Sequence, residues 1–302
     1  MSANVEHLPD ILSNARRRRS PAAWLRTTGW RHVVGIVVGI YALLPIVYVF
    51  SASLNPTGTL TGSNQLFSQV SLDSYVRVLT DPDHPFGKWF LNSLGVGLAT
   101  ALGTVFLGAL AAYSFSRMRF KGRRVGLLSL VLVQMFPQLL AVVAVFMLVT
   151  KLGDLVPWLG INSPVALVLV YLGGALGVNT YLMYGFFNTV PISIDEAAKL
   201  DGAGHARIFF TIILRLVAPV LAVVGLLSFI ATMNDFVISS VILVDPDKQT
   251  LAVGLYQMVS NPNYADWSAF AAGAVMAALP VVVIFLALQR YIVGGLTAGA
   301  VK

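Results

Sequence analysis

Six long hydrophobic stretches, separated by shorter polar ones, run through the 302-residue chain. Each has about the 20 residues that an α-helix needs to cross a bilayer, and none alternates apolar with polar positions as the strands of a membrane β-barrel do. A helix satisfies its backbone polar groups within one segment, as hydrocarbon requires. The pattern predicts an all-α integral membrane protein with six transmembrane helices, at residues 33–53, 90–115, 125–150, 164–187, 208–234 and 268–289.

Composition and charge agree with this architecture and orient it. The chain is 57% hydrophobic and 11% charged, which excludes an ordinary soluble domain. An even number of spans places both termini on one side, and that side receives every lysine and arginine except Arg77, Lys88, Lys151 and Lys248. Because positively charged loops stay in the cytoplasm, both termini are predicted to be cytoplasmic. The net charge of +7 is then a topological signal and indicates no nucleic-acid binding. Residues 1–32 would be a cytoplasmic N-terminal leader, and 33–302 one six-helix membrane domain.

A short polar helix is predicted between the fourth and fifth hydrophobic stretches, on the cytoplasmic side. Ser193 and Glu196 have the S-x-x-E spacing of a capping box. A helix over residues 194–201 would end at Gly202 and Gly204, which suit a left-handed C-terminal cap. Such a helix is too short to be stable alone. One of its faces would admit the surface of another subunit, and this face is formed by Ile194, Ala197, Ala198 and Asp201. An interfacial helix packed on its own protein is the alternative.

This segment resembles the EAA motif of ABC importer permeases. The residues that carry the resemblance are Glu196, Ala197 and Ala198, with the run Leu200-Asp201-Gly202-Ala203. Residues 251–255 and 261–302 resemble the carboxyl-terminal region of permeases from maltose-type sugar importers, so the resemblance covers at least 191–302. It implies a type I ABC importer (MetI-like) permease fold with a coupling helix at 194–204. Arg215 departs from the family, which commonly has a proline there, and we expect the departure to affect the bend that enters the fifth span.

The resemblance also implies a function. The chain would be the permease subunit of an ABC importer in the bacterial cytoplasmic (inner) membrane. Its substrate would be an oligosaccharide, with maltose or maltodextrin first and trehalose or another disaccharide as the alternative. The residues that would contact the ATPase are Glu196, Ala197, Ala198, Asp201 and Gly202. The residues that would contact an extracytoplasmic binding protein are Asn261, Pro262, Asn263 and Tyr264, for which a plain solvated turn is the alternative.

The resemblance implies partner subunits for the parts that the chain lacks. It has no G-x-x-x-x-G-K-S/T phosphate-binding loop, because its only Gly-Lys pair is followed by Trp89. It is therefore predicted not to be an enzyme and to hold no cofactor of its own. The implied partners are a dimer of ATP-binding subunits, a homologous second permease, an extracytoplasmic sugar-binding protein and membrane lipid. Closing of the ATPase pair would drive alternating access of the spans.

No residue is assigned to the substrate or to a metal. Polar side chains in or near the spans could bind sugar or join helices by hydrogen bonds, and they are Asn92, Gln134, Gln138, Asn179, Asn188 and Asn234. Close helix contacts are expected at Gly103, Gly108, Gly173, Gly174 and Gly177. Tryptophans near predicted span ends suggest an aromatic belt, and they are Trp89, Trp158 and Trp267. The absence of cysteine excludes disulfides and thiolate metal sites.

An ion-coupled secondary transporter is the alternative class of protein. It would need a carboxylate or a histidine deep in the membrane to couple proton or sodium movement to transport. The one candidate acid is Asp235, at the outer end of the fifth hydrophobic stretch.

Overall fold

The computed structural model describes residues 28–59, 65–261 and 265–298, and every regular element in these ranges is a helix. The prediction of an all-α protein is confirmed for this part of the chain. Two compact units are present, Met1–Val49 and Phe50–Lys302. The helices, in chain order, are α1 (Trp30–Ser53), α2 (Asp73–Thr80), α3 (Phe86–Arg117), α4 (Arg123–Val133), α5 (Gln138–Leu155), α6 (Pro164–Phe187), α7 (Ile192–Leu200), α8 (His205–Leu216), α9 (Ala218–Asn234), α10 (Val237–Ile242), α11 (Leu251–Ser260) and α12 (Trp267–Ala298).

Four of these helices are long and apolar enough to cross a membrane, namely α1, α3, α6 and α12. They correspond to the first, second, fourth and sixth predicted spans, and α6 has the predicted bounds. A fifth crossing is obtained within the described residues if α8 and α9 are taken together as one bent span. The third and the fifth predicted spans are therefore not single continuous helices.

The third hydrophobic stretch forms two helices, so the prediction of one continuous helix over 125–150 was wrong. α4 ends at Val133 and α5 begins at Gln138, with Pro137 in an extended conformation between them. Proline has no N–H to donate, and its ring disfavours a helical conformation of the preceding residue. The break thus lies between Gln134 and Gln138, within an otherwise apolar stretch.

The fifth hydrophobic stretch is bent by 79° between α8 and α9, which also corrects the single helix predicted over 208–234. Pro219 lies in the first turn of α9, where its missing N–H costs little, but its ring would clash with the Arg215 carbonyl in a continuous helix. The proline that forces the bend therefore lies four residues beyond Arg215. Arg215 is exposed and precedes the bend, so it lies outside the apolar helix α9.

The core of the second unit forms where α3 packs against α6 and α9. At three of the five glycines expected at close helix contacts, a Cβ atom would lie against a neighbouring helix, and these are Gly103, Gly108 and Gly177. A Cβ on Gly103 would lie 2.8 Å from the side chain of Leu172 of α6, so α3 and α6 approach closely here and a larger residue would displace the leucine. The expectation was wrong for Gly173, whose Cβ position is open, whereas Gly174 meets the neighbouring segment through its carbonyl, which accepts a hydrogen bond from the Gln134 side chain.

Trp89 at the start of α3 is fully buried, which corrects its assignment to an aromatic belt. Its indole Nε1 donates a hydrogen bond to the carbonyl oxygen of Pro246, at 2.8 Å. The face of the ring packs directly on Gly254 of α11, where a Cβ atom would overlap the ring. Trp158 is exposed and Trp267 is half-buried. Trp89 thus joins α3 to the segment that leads into α11.

The contact between Trp89 and Gly254 makes a stability prediction. Gly254→Ala should lower the free energy of unfolding by about 1–3 kcal/mol, because the added methyl group overpacks the indole. Gly95→Ala on α3 is the control, since its Cβ position is open and alanine favours a helix. Thermal unfolding of the solubilised chain, followed by circular dichroism, measures both. Equal midpoints for the two variants would contradict the packing.

Candidate functional site

The short polar helix predicted between the fourth and fifth spans is α7, which begins at Ile192, two residues before the predicted start. Pro191 takes the N-cap position and no side chain caps the helix. The predicted capping box was wrong, because Ser193 lies inside the helix rather than before it. Pro191 holds φ at −56°, which directs the chain into the first turn without a side-chain hydrogen bond.

The C-terminal end of α7 is closed by a Schellman motif. Gly202 has φ +80°, which confirms the left-handed conformation expected of it. Its N–H donates to the Lys199 carbonyl, and the Ala203 N–H donates to the Ala198 carbonyl, both at 2.9 Å. Gly204 has φ −73° and precedes α8, so its predicted left-handed role was wrong.

The residues of α7 divide between an inner and an outer face. Asp195 and Ala198 are buried, and Ile194 packs against the same cluster as Ala198. The outer residues are Glu196, Ala197, Leu200 and Asp201, and Leu200 is 90% exposed. The predicted face was therefore wrong in part, since Ile194 and Ala198 face their own protein while Ala197 and Asp201 face outward. Because Asp195 is buried, the side of α7 that also carries Ala198 faces the interior of the protein.

Asp195 is held by a buried ion pair with Arg117, the last residue of α3. Arg117 Nε lies 3.0 Å from Asp195 Oδ2, and each side chain is 5% exposed. The contact is an ion pair without the alignment of a hydrogen bond. Arg117 also donates to the Val190 carbonyl at 2.8 Å and to Ser116 Oγ at 3.2 Å, and Ser116 Oγ donates to Asn188 Oδ1 at 2.8 Å. This network fixes α7 to the ends of α3 and α6.

Sequence reasoning missed this ion pair. It counted Arg117 only among the positive charges of the cytoplasmic side. The two residues are far apart along the chain, and no periodic pattern relates them. The exposed Ala197 is as small and apolar as the buried Ala198, so residue type gave no signal for the buried side of α7.

Most of the polar residues considered for substrate contact make hydrogen bonds within the protein. Asn92 donates to the carbonyls of Asp247 and Gln249, Gln134 donates to the carbonyl of Gly174, and Asn179 donates to Ala175 in its own helix. Asn188 accepts from Ser116, as described above. Asn234 is exposed at the end of α9, and the side chain of Gln138 lies outside the described residues. Three of the six, Asn92, Gln134 and Asn188, therefore join separate segments of the protein.

Asp235 has a structural task as well. Its Oδ1 accepts hydrogen bonds from the Tyr171 hydroxyl at 2.7 Å and from the backbone N–H groups of Ile238 and Ser239 at 3.1 and 3.0 Å. The carboxylate thus caps α10 and ties it to α6. These contacts give Asp235 a structural role at the junction of α6 and α10.

The predicted binding-protein loop lies between α11 and α12. Of its four residues, Asn261 is described and is exposed, whereas Pro262, Asn263 and Tyr264 lie outside the described residues. Both flanks of the loop are fixed. Before it, the apolar helix α11 buries Leu251 and Leu255 in a stretch that the sequence indicated only as polar. After it, Asp266 pairs with Arg77 at 3.0 Å and caps α12 at the N–H of Ala269.

Comparison with known proteins places this arrangement in a family. Residues 104–297 match the family described as binding-protein-dependent transport system inner membrane components. The galactooligosaccharides transport system permease protein GanQ of Bacillus subtilis is 40% identical over 266 residues, which cover 88% of this chain and 92% of GanQ. The maltose/maltodextrin transport system permease protein MalG of Escherichia coli K12 is 39% identical over 271 residues, which cover 86% and 90%.

Solved structures share the fold. A bacterial ABC transporter involved in the import of the acidic polysaccharide alginate superposes with a TM-score of 0.73 at 24% identity, covering 88% of this chain and 97% of the other. A bacterial alginate ABC transporter in complex with an alginate pentasaccharide-bound periplasmic protein gives 0.61 at 14%, covering 88% and 96%. The chain belongs to the family of binding-protein-dependent inner membrane components, which confirms the resemblance seen in the sequence. It is therefore a membrane-embedded permease component.

The buried ion pair predicts non-additive mutations. Arg117→Met or Asp195→Leu alone should destabilise the chain by about 3–5 kcal/mol, because each leaves an uncompensated buried charge. The double variant should lose clearly less than the sum of the two, since it removes both charges. Unfolding in mixed micelles measures the cycle. Glu196→Gln, on the exposed side of α7, is the control and should change stability by less than about 0.5 kcal/mol. Additive losses would show that the pair is not coupled.

Proposed function

We propose that this chain is the permease subunit of an ABC sugar importer in the bacterial cytoplasmic membrane. The substrate is an oligosaccharide, of the maltose or maltodextrin kind or a related sugar such as trehalose. The relatives described above support this, since GanQ and MalG are named for galactooligosaccharides and for maltose and maltodextrin. A homologous second permease completes the translocation path.

The exposure of α7 is the observation that carries the coupling part of the proposal. A helix of nine residues is held rigidly on its inner side, yet it presents Leu200, 90% exposed, on its outer side. An ATP-binding subunit would cover this leucine together with Glu196, Ala197, Asp201 and Gly202. Ala198 belongs to the same motif but lies on the inner side, where it packs α7 against its own protein.

The mechanism follows from the anchoring of α7. ATP binding closes the pair of ATP-binding subunits and displaces the α7 helix seated in one of them. The buried pair between Arg117 and Asp195 transmits this displacement to α3, and Arg117 links it to the end of α6 through Val190. The spans then move between inward-facing and outward-facing states, which is a two-state domain motion biased by ligand.

The proposal includes a membrane topology for the chain. Six crossings result if α4 with α5 forms the third and α8 with α9 forms the fifth. Both termini and α7 are cytoplasmic, and residues 261–264 lie outside, where they contact the sugar-loaded binding protein. The fixed flanks of this loop, α11 on one side and the ion pair of Arg77 with Asp266 on the other, would hold it in position for that contact.

Gly202 tests the coupling role. Gly202→Asp should abolish uptake and the ATP hydrolysis stimulated by the binding protein in the reconstituted complex. A side chain at φ +80° costs about 1–2 kcal/mol, and the charge would face the ATP-binding subunit. Gly204→Asp is the matched control, because Gly204 has an ordinary φ and equally open space around its Cβ position. Normal uptake in the Gly202 variant would favour an interfacial helix without a docking role.

Two exposed lysines test the topology in the cysteine-free background. Lys121 lies between α3 and α4, and Lys248 lies between α10 and α11. In intact cells an impermeant maleimide should label Lys248→Cys and spare Lys121→Cys, which should react only after the membrane is permeabilised. The reverse pattern would place α7 on the outer side and would refute its proposed docking to an ATPase.

A further inference from the structure

An open cavity of about 390 Å³ lies at the turn between α3 and α4. Its lining consists of Arg119, Phe120, Gly122, Arg123, Arg124 and Val125. Three of these six residues are arginines and none is acidic. The cavity is therefore a concentrated positive site that lacks a negative charge of its own.

The arginines of the cavity differ in how they are held. Arg123 donates to the Tyr184 hydroxyl at 3.2 Å and lies over the Tyr184 ring, 5.8 Å from its centroid. Arg119 and Arg124 form no ion pair or hydrogen bond with any residue that the structure describes. In contrast, Arg77 and Arg117 each pair with an aspartate. Two guanidinium groups in the cavity thus remain available for an anion.

The backbone around the cavity also favours an anion. Gly122, with φ +85°, is the N-cap of the 11-residue helix α4, which has no side-chain cap and no acidic residue in its first turn. The first N–H groups of a helix lack partners within the helix, and its N-terminus carries a partial positive charge. Arg123 and Arg124 add two cations at this end, where the helix dipole disfavours them. A bound anion would compensate the arginines and the dipole together.

The surface next to the cavity is apolar. Val125, Leu128 and Leu132 follow each other along one side of α4 and are all exposed. A ligand with a negatively charged head and a hydrocarbon tail matches a cationic cavity that continues into such a stripe. We propose that the cavity binds the phosphate headgroup of an anionic phospholipid, with the acyl chains along Val125, Leu128 and Leu132. Cationic pockets at the ends of membrane helices are suited to such headgroups.

Native mass spectrometry of the full solubilised chain tests the proposal by titration with phosphatidylglycerol. Phosphatidylcholine with the same acyl chains should bind at least about fivefold more weakly. Arg119→Gln and Arg124→Gln should each weaken phosphatidylglycerol binding about fivefold, which corresponds to about 1 kcal/mol per cation at a membrane surface. Arg124→Lys should retain most of the affinity, because it keeps the charge.

Arg290→Gln is the matched control. Arg290 is exposed near the end of α12 and lies over an aromatic ring, as Arg123 does, but it lines no part of this cavity. An equal loss of affinity in this variant would show that any surface arginine contributes as much, and would refute a specific lipid site in the cavity. Competition by inorganic phosphate at the lipid's own concentration would identify a free-anion site instead. Lipid binding is also measured on the chain purified with its partner subunits. If the Arg119 and Arg124 variants no longer weaken lipid binding there, the cavity is a contact with another subunit.

Discussion

The orientation of α7 depends on one buried ion pair. Arg117 and Asp195 are almost completely removed from solvent, and the desolvation of two charges costs several kcal/mol per ion unless contacts offset it. The carbonyl of Val190 and the hydroxyl of Ser116 provide further contacts to the guanidinium. Because any rotation of α7 would withdraw Asp195 from Arg117, the outward direction of Leu200 and the inward direction of Ala198 are set together.

The breaks in the membrane helices have a common cause. Pro137 separates α4 from α5, and Pro219 accompanies the bend between α8 and α9. Breaks of this kind are tolerated at membrane depth where neighbouring helices or local adjustments satisfy the freed backbone groups. At the first break the Gln134 side chain reaches the carbonyl of Gly174 on α6, so a side chain of the broken segment is bonded to its neighbour. Irregular backbone is thus located beside packed helices.

Much of this architecture was predictable from the sequence, and the remainder has identifiable physical reasons. Hydropathy indicates which segments lie in lipid, so α1, α3 and α6 and the start of α12 were predicted close to their observed bounds. Hydropathy says nothing of the path of the backbone, and so the break at Pro137 and the bend before Pro219 were missed. Local turn chemistry gave the left-handed conformation of Gly202.

Contacts between distant segments could not be predicted in this way. Trp89 lies near the end of a hydrophobic stretch, where an interfacial position is common, and its burial depends on Gly254 in another part of the chain. The same holds for Arg117 with Asp195. Their charges were correctly counted, but pairing depends on how α3 and α7 meet, and no local pattern encodes that.

The ion pairs of this chain differ in their exposure to dissolved ions. The pair of Arg117 with Asp195 is shielded from solvent, so counterions screen it little. The pairs of Arg77 with Asp266 and of Lys88 with Asp247 are 33–39% and 57–60% exposed, and mobile salt weakens such contacts. Rising ionic strength would therefore loosen the joints around α2 and α11 first, while the attachment of α7 stayed rigid. Salt would thus act unequally on the ion pairs of this one chain.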